Sequence, residues 1–310
     1  MKASVRVPAT SANIGCGFDS FGLALPIYNT ITIEETVLPG SGIEINVINK
    51  ENQEKIINVP TDKNNIIYQS IEFLYNFIGQ VPSELKITIE TSIPIARGLG
   101  SSASLVVGGL LAANELLSKP ADENVLISIA TEIEGHPDNV VPAIIGGFTA
   151  SCTEEDGRVI ARKLPWPADW CITACIPNYE LSTEIARSVL PEAIPMKDAI
   201  FNLRRTALMV DAIYSCDEEL MKVALKDRIH QPYRTKLVPG LEEISNNLKF
   251  INGVMGSVLS GAGPSILVIS KKEALEEIKS TVLKTWADID VGAKVLTLPL
   301  ETEGAKVLNV

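Results

Sequence analysis

Cysteines are few in this sequence, long apolar runs are missing, and positive charge is not in excess. The 5 cysteines among 310 residues are an odd number and show no CxxC spacing, so they predict neither a disulfide framework nor a zinc site. No stretch approaches the ~20 apolar residues that a membrane-spanning helix needs, and the N-terminus lacks an apolar run of signal-peptide length. These absences predict a protein of the reducing cytoplasm without a membrane partner.

The charge balance argues against a strongly basic binding surface. Lys and Arg number 27 against 38 Asp and Glu, which gives a formal net charge of -11. A surplus of negative charge repels a phosphate backbone unless a local basic patch offsets it. The basic doublets Arg204-Arg205 and Lys271-Lys272 are isolated and are interpreted as solvated charges. We therefore expect no nucleic-acid partner.

Periodic apolar residues predict alternating strands and helices along the chain. Residues 85–90 alternate apolar and polar side chains, as in a strand with one buried face. Helical spacing predicts helices over 65–78 and 102–117, and Asp122 is expected to cap a third helix. The second half shows the same mixture, with predicted strands at 171–176, 253–260, 265–270 and 292–298. The sequence thus predicts an α+β fold.

The chain length predicts two domains. At 310 residues the chain exceeds the size at which one hydrophobic core usually stops growing. The stretch 154–169 is polar and turn-rich and indicates the passage from one domain to the next. We place the domains at 1–165 and 166–310.

A glycine- and serine-rich segment between the strand at 85–90 and the helix at 102–117 predicts an anion site. Gly98 and Gly100 allow backbone N–H groups to approach an anion, and the following helix directs its positive dipole end there. A polyphosphate is the natural occupant, while an ordinary turn that caps a helix is the alternative. The Walker A motif is absent. The segment comprises Pro94, Ile95, Ala96, Arg97, Gly98, Leu99, Gly100, Ser101, Ser102, Ala103 and Ser104.

Three segments resemble the signatures of the GHMP kinases, a superfamily of ATP-dependent small-molecule kinases. They are PxxxGLGSSAS at 94–104, PATSANIGCGFD at 8–19 and LSGAGPS at 259–265. This resemblance spans nearly the whole chain and implies that ATP is bound at residues 94–104, the phosphate loop. It also implies an α+β fold of two domains, with an N-terminal half like ribosomal protein S5 domain 2, a ferredoxin-like C-terminal half, and the active site between them.

Further segments resemble the homoserine kinases within that superfamily. They are EGHPDNVVP at 134–142, STEIARSVLP at 182–191 and HQPYR at 230–234. A zwitterionic amino acid needs cationic donors for its carboxylate and acceptors for its ammonium group. A guanidinium can bind a carboxylate through two parallel hydrogen bonds. Seen alone, each arginine would be interpreted as a surface or salt-bridge residue. The resemblance implies that L-homoserine is bound by Asn13, Asp19, His136, Arg187 and Arg234, beside the loop at Gly261.

The resemblance also implies catalytic and metal-binding residues. Ser102 and Glu134 match the Mg²⁺ ligands of the superfamily, and hard oxygen ligands suit that ion. Glu132 is close enough in sequence to be the alternative ligand. Asn139 stands where mevalonate kinase-like relatives carry an aspartate base, so the resemblance implies transfer driven by positioning and Mg²⁺. Two carboxylates stay open as a base: Asp19 and Asp138.

Asn64 and Asn65 precede the helix at 65–78 and admit two interpretations. Their segment resembles the superfamily's contact with the adenine base, but asparagine is also a common helix cap. The sequence does not decide between these roles.

Together the resemblances imply transfer of the ATP γ-phosphoryl group to the hydroxyl of L-homoserine, which gives O-phospho-L-homoserine for threonine biosynthesis. Two alternatives remain open, namely another GHMP small-molecule kinase and a non-catalytic ATP or amino-acid sensor on this fold. A homodimer is a further family expectation.

Overall fold

The computed structural model describes residues 1–36, 42–50, 53–54 and 60–309 as an α+β protein. The strands, in chain order, are β1 (Lys2–Ala12), β2 (Phe21–Glu35), β3 (Ile43–Asn49), β4 (Leu85–Thr91), β5 (Phe148–Thr153), β6 (Val159–Leu164), β7 (Cys171–Pro177), β8 (Val254–Leu259), β9 (Ile266–Ser270), β10 (Ala293–Leu298) and β11 (Lys306–Leu308). The α-helices are α1 (Ile66–Phe77), α2 (Ser101–Leu116), α3 (Glu123–Glu134), α4 (Pro137–Ile145), α5 (Thr183–Ser188), α6 (Met196–Ser215), α7 (Glu218–Ala224), α8 (Gln231–Arg234), α9 (Leu241–Leu248) and α10 (Leu275–Ala287). Within the described ranges, no helix is both long and apolar enough to cross a bilayer.

Among the described residues, the first sheet contains seven strands and packs against four helices. Its main path runs β11-β1-β2-β4-β3, while β5 pairs with the start of β2 and carries β6. In β4, Leu85, Ile87 and Ile89 are buried, as the predicted alternation requires. Helix α2 is buried on most sides because it packs against the sheet, α1, α3 and α4. The predicted cap of α3 is confirmed, since the Asp122 side chain accepts from the Val125 N–H at 2.9 Å.

The second sheet contains β7 to β10 and forms the centre of the C-terminal half. Its strands are antiparallel in the order β10-β7-β9-β8. Helices α9 and α10 pack on this sheet, and Trp286 of α10 is fully buried there. Strands and helices therefore follow the β-α-β-β-α-β pattern of a ferredoxin-like fold.

The structure differs from the sequence prediction in several elements. Residues 154–169, predicted as a domain passage, begin inside the hairpin that joins β5 to β6, where the Gly157 N–H donates to the Glu154 carbonyl at 3.0 Å. Helix α4 is missing from the prediction because it is short and contains Pro142. Strand β11 pairs with β1 although the two lie near opposite ends of the chain. The division at residue 165 stays a prediction, and β11 belongs to the first sheet.

Candidate active site

A cavity of about 470 Å³ lies where the phosphate loop meets the C-terminal half. It brings together most of the predicted site residues, although they come from distant parts of the chain. The predicted residues that line it are Asn13, Asp19, Asn64, Asn65, Ile95, Ala96, Arg97, Gly98, Leu99, Gly100, Ser101, Ser102, Glu134, His136, Asp138, Asn139, Arg187, Arg234 and Gly261.

Three residues predicted to bind ATP do not line this cavity. Pro94 lies on a second cavity behind the loop. Ala103 and Ser104 are fully buried in the first turn of α2. Conversely, Ser182 and Thr183 line the cavity, although neither is among the predicted site residues. Their place in the segment 182–191 is the signal that could have identified them.

Gly98 and Gly100 hold the phosphate loop in a shape that disfavours any side chain. Their φ angles of 70° and 65° lie in the left-handed region. A Cβ atom on Gly98 would lie 2.2 Å from the carbonyl oxygen of Ser260, and one on Gly100 would lie 1.9 Å from Thr10 Oγ1. Helix α2 begins at Ser101, directly after Gly100, so N–H groups at the start of its first turn, which have no partner within the helix, lie at the cavity. This geometry suits a bound anion.

The phosphate loop is attached to the C-terminal half by side chains on both sides. The Ser260 hydroxyl lies 2.6 Å from the carbonyl oxygen of Gly98. Arg97 donates from Nε to the Pro177 carbonyl and from Nη2 to the Asn178 carbonyl, both at 3.0 Å. The Arg97 guanidinium is therefore engaged behind the loop, and a contact of Arg97 with ATP would depend on its backbone.

Ser102 and Glu134 form the oxygen pair that could hold a metal ion. The Ser102 hydroxyl donates to Glu134 Oε2 at 2.9 Å. Burial raises the pKa of the Glu134 carboxyl, against the opposing effect of the Ser102 hydrogen bond. Glu132 is exposed and does not line the cavity. A hydroxyl and a carboxylate are hard oxygen ligands, so the two residues fit Mg²⁺.

Asp19 and Arg187 form an ion pair that lines the cavity. Arg187 donates from Nη2 to Asp19 Oδ1 at 2.9 Å and from Nη1 to Oδ2 at 3.3 Å. Asn13 orients the Asp19 segment, because its Oδ1 accepts from the Asp19 N–H at 3.0 Å while its Nδ2 donates to the Gly261 carbonyl at 3.0 Å. A carboxylate and a guanidinium are thus presented side by side, both about one-third exposed.

His136 and Asp138 form a second pair at the N-terminus of α4. Their Nδ1 and Oδ1 atoms lie 2.6 Å apart, and the Asp138 side chain is 1% exposed. Burial opposes charging of the imidazole, but the hydrogen bond and charge of Asp138 outweigh it, so the pKa of His136 is raised. Ligand atoms of Asp19, His136 and Asp138 all lie within 4.8 Å of one another. Both candidate bases are therefore already paired, one with Arg187 and the other with His136.

Asn139 lies beside the phosphate loop. Its Oδ1 accepts from Thr10 Oγ1 at 2.8 Å, and its side chain is buried against Gly100. An amide does not take up a proton at neutral pH, so this residue can orient a group but cannot act as a base.

Asn65 has the capping role that the sequence left open. Its Oδ1 accepts from the Ile67 N–H at 3.0 Å, and it is the N-cap of α1. Asn64 donates from Nδ2 to Asp62 at 3.1 Å and lies at the edge of the cavity. Contact of either residue with adenine remains a prediction.

Comparison with known proteins identifies two domain families in the chain. The family described as GHMP kinases N terminal domain matches residues 65–147, and the family described as GHMP kinases C terminal matches residues 209–288. A homoserine kinase from Microchaete diplosiphon is 40% identical over 306 residues, which cover 99% of this chain and 97% of the relative. A homoserine kinase from Petrotoga mobilis is 41% identical over 306 residues, with 98% and 96% covered.

Solved structures show the same fold. The crystal structure of a homoserine kinase from Cytophaga hutchinsonii superposes with a TM-score of 0.87 at 28% identity, covering 99% of this chain and 97% of that one. A phosphomevalonate kinase from Streptococcus pneumoniae gives a TM-score of 0.69 at 14% identity, with 96% and 99% covered. At that identity, the second likeness concerns the fold alone.

Proposed function

The chain belongs to the homoserine kinase family of the GHMP kinases, and from this premise we propose that it transfers the ATP γ-phosphoryl group to the side-chain hydroxyl of L-homoserine. The product is O-phospho-L-homoserine, an intermediate on the way to threonine. The observation that carries this proposal is the Asp19–Arg187 pair in the cavity that also contains the phosphate loop.

The Asp19–Arg187 pair suits an α-amino acid because its two charges match both charged groups of a zwitterion. We assign the ammonium group of homoserine to Asp19 and the carboxylate to Arg187 and Arg234. Arg234 is 2% exposed and reaches the same cavity. Asn13 and His136 provide further polar contacts, and Gly261 closes the pocket. A neutral alcohol or a sugar would not need this arrangement of opposite charges.

The phosphate loop is the proposed site of the ATP phosphates. Backbone N–H groups around Gly98 and Gly100 and the first turn of α2 donate to the phosphate oxygens. Ser102 and Glu134 would hold Mg²⁺, which neutralises charge on the phosphate oxygens when it is bound. The adenine is placed near Asn64 and Asn65.

Alignment of the reactants is the proposed source of catalysis. Phosphoryl transfer has a loose transition state, so positioning and charge stabilisation contribute most of the acceleration. Asn139 is assigned an orienting role between Thr10 and the phosphate loop. Asp19 is paired with Arg187 and Asp138 with His136, so either carboxylate would have to give up that partner before it could contact the substrate hydroxyl as a base.

Incubation with MgATP and each of L-homoserine, mevalonate, galactose and L-threonine tests the proposal, with ADP release and phosphorylated product as readouts. We expect turnover that is selective for L-homoserine. In the Arg187→Met variant the KM for homoserine should rise about 10- to 100-fold, since a hydrogen bond to a charged group is worth about 1.5–3 kcal/mol. Arg158→Met is the matched control, because Arg158 forms an exposed ion pair with Asp156.

The remaining outcomes separate the alternatives. Turnover of another alcohol would agree with a GHMP kinase but contradict the residues assigned to homoserine binding. Tight ATP binding with no product from any acceptor would favour a sensor. A cytoplasmic location and a homodimer are carried forward as predictions, to be tested by fractionation of cells and by sedimentation.

A further inference from the structure

The buried guanidinium of Arg234 has most of its donors engaged by the protein. Its Nε donates to the Ala186 carbonyl at 3.0 Å, while Nη1 lies 3.2 Å from the Gly261 carbonyl and 3.3 Å from His230 Nδ1. These contacts use three of the five N–H donors of an arginine. Among the described residues, none accepts a hydrogen bond from Nη2. The group is therefore held at Nε and Nη1, and the donors of Nη2 remain for a ligand in the cavity.

His230 contacts the Nη1 group of Arg234. The side chain is fully buried and stacks on Phe18 at 5.2 Å between ring centroids. Its Nε2 lies 2.9 Å from the Gly15 carbonyl, which can only accept, so Nε2 carries the proton and Nδ1 is free to accept from Arg234. Burial lowers the pKa of His230, which keeps the ring neutral. Only this tautomer satisfies both neighbours.

Asp227 fixes the backbone that carries His230. Its buried carboxylate accepts from the backbone N–H groups of Ile229, His230 and Gln231 at 2.9, 3.0 and 2.7 Å. It also accepts from Asn202 Nδ2 at 2.7 Å. The carboxylate therefore orders the turn before α8 through three backbone hydrogen bonds and links that turn to α6. Neither Asp227 nor His230 lines the cavity.

We infer that Asp227 and His230 are positioning residues that direct Arg234 toward the carboxylate of the substrate. The inference rests on the proposed function, because it requires a carboxylate at Arg234. It goes beyond a role in stability, because a network that only supports the fold would affect every substrate to the same extent. A network that directs Arg234 affects only substrates that carry the carboxylate.

The two roles are separated by comparing L-homoserine with 3-aminopropan-1-ol, which is homoserine without its carboxylate. The measured quantity is kcat/KM for L-homoserine divided by kcat/KM for 3-aminopropan-1-ol. We expect His230→Leu and Asp227→Asn to lower this ratio about 10-fold, the effect of weakening a hydrogen bond to a charged group. Turnover of 3-aminopropan-1-ol should change less than about 3-fold in both variants. His230→Gln keeps an amide donor and an acceptor and should restore most of the ratio.

Two further variants complete the test. Arg234→Gln should lower the ratio at least as far as the other variants. Asn114→Leu removes a buried amide that bonds both backbone groups of Ala121 at 3.0 and 3.1 Å, far from the cavity, and should leave the ratio unchanged.

The outcomes are distinct. An unchanged ratio in Arg234→Gln would overturn the assignment of Arg234 to the carboxylate, and the inference with it. A lowered ratio in Arg234→Gln, with equal losses on both substrates in His230→Leu and Asp227→Asn, would overturn the inference alone. If His230→Leu does not fold, the comparison on Asp227→Asn decides the matter, since that change preserves the size of the side chain.

Discussion

Replacing Gly98 by alanine should destabilise the protein and move the phosphate loop. The left-handed φ of 70° costs a residue with a Cβ atom about 1–2 kcal/mol. The new Cβ atom would also lie 2.2 Å from the carbonyl oxygen of Ser260, whereas ordinary contact begins at 3.4 Å. Because that oxygen belongs to the backbone, the loop must shift, and crowding of this kind costs about 1–3 kcal/mol. The free energy of unfolding should therefore fall by about 2–5 kcal/mol.

The matched control is Gly157→Ala. Gly157 has a φ of 83°, but nothing lies within 4 Å of the position of its Cβ atom. This variant should lose only the conformational part, about 1–2 kcal/mol. Urea unfolding measures both losses. Steady-state kinetics should show kcat lower by about 100-fold in Gly98→Ala alone, since a displacement of about 1 Å at reacting groups costs that much. Equal losses of stability and unchanged kinetics in the two variants would refute the tight contact between the loop and Ser260.

Three further predictions concern ionisable groups. Glu134→Gln should raise the Mg²⁺ concentration for half-maximal activity at least ~10-fold, because losing a charged oxygen ligand should cost at least as much affinity as losing an outer-shell partner. An unchanged Mg²⁺ dependence of activity would contradict the assignment of Glu134 as a metal ligand. The pKa of His230 is lowered on folding, so below about pH 6.5 the unfolded chain binds more protons than the folded one. Between pH 7.5 and 5.5 the free energy of unfolding, measured with urea, should therefore fall more for the wild type than for His230→Gln. An equal fall in the two proteins would contradict this. Burial raises the pKa of Cys175 to about 12, so iodoacetamide at pH 8 should modify exposed Cys152 much faster than buried Cys175. Comparable rates of alkylation at the two cysteines, measured by peptide mass spectrometry, would contradict this.

Local patterns were sufficient to predict most of the regular elements. Helix α1 and the strand at 85–90 follow from the spacing of their apolar residues, and the cap at Asp122 follows from its position before α3. The hairpin of β5 and β6 could not be predicted in the same way, because its strands are half exposed and alternate weakly. Helix α4 is too short to show a period.

The site could be predicted residue by residue but not as a set of contacts. Motif resemblance selects Asp19 and Arg187, yet nothing local to either segment shows that the two side chains would pair. The same holds for Arg97, whose guanidinium donates to two carbonyls at the end of β7, far along the chain. Such contacts depend on how the two sheets are placed against each other, and that information is distributed over the whole core.

Strand β11 bears on when the first sheet is completed during translation. Ser4 pairs with Leu308 and Arg6 with Lys306, so this edge of β1 stays open while the residues between the two strands are synthesised. During that time the edge presents N–H and C=O groups to which a strand of another chain can add. Synthesis of β11 is therefore the step that protects the nascent first sheet from pairing with other chains.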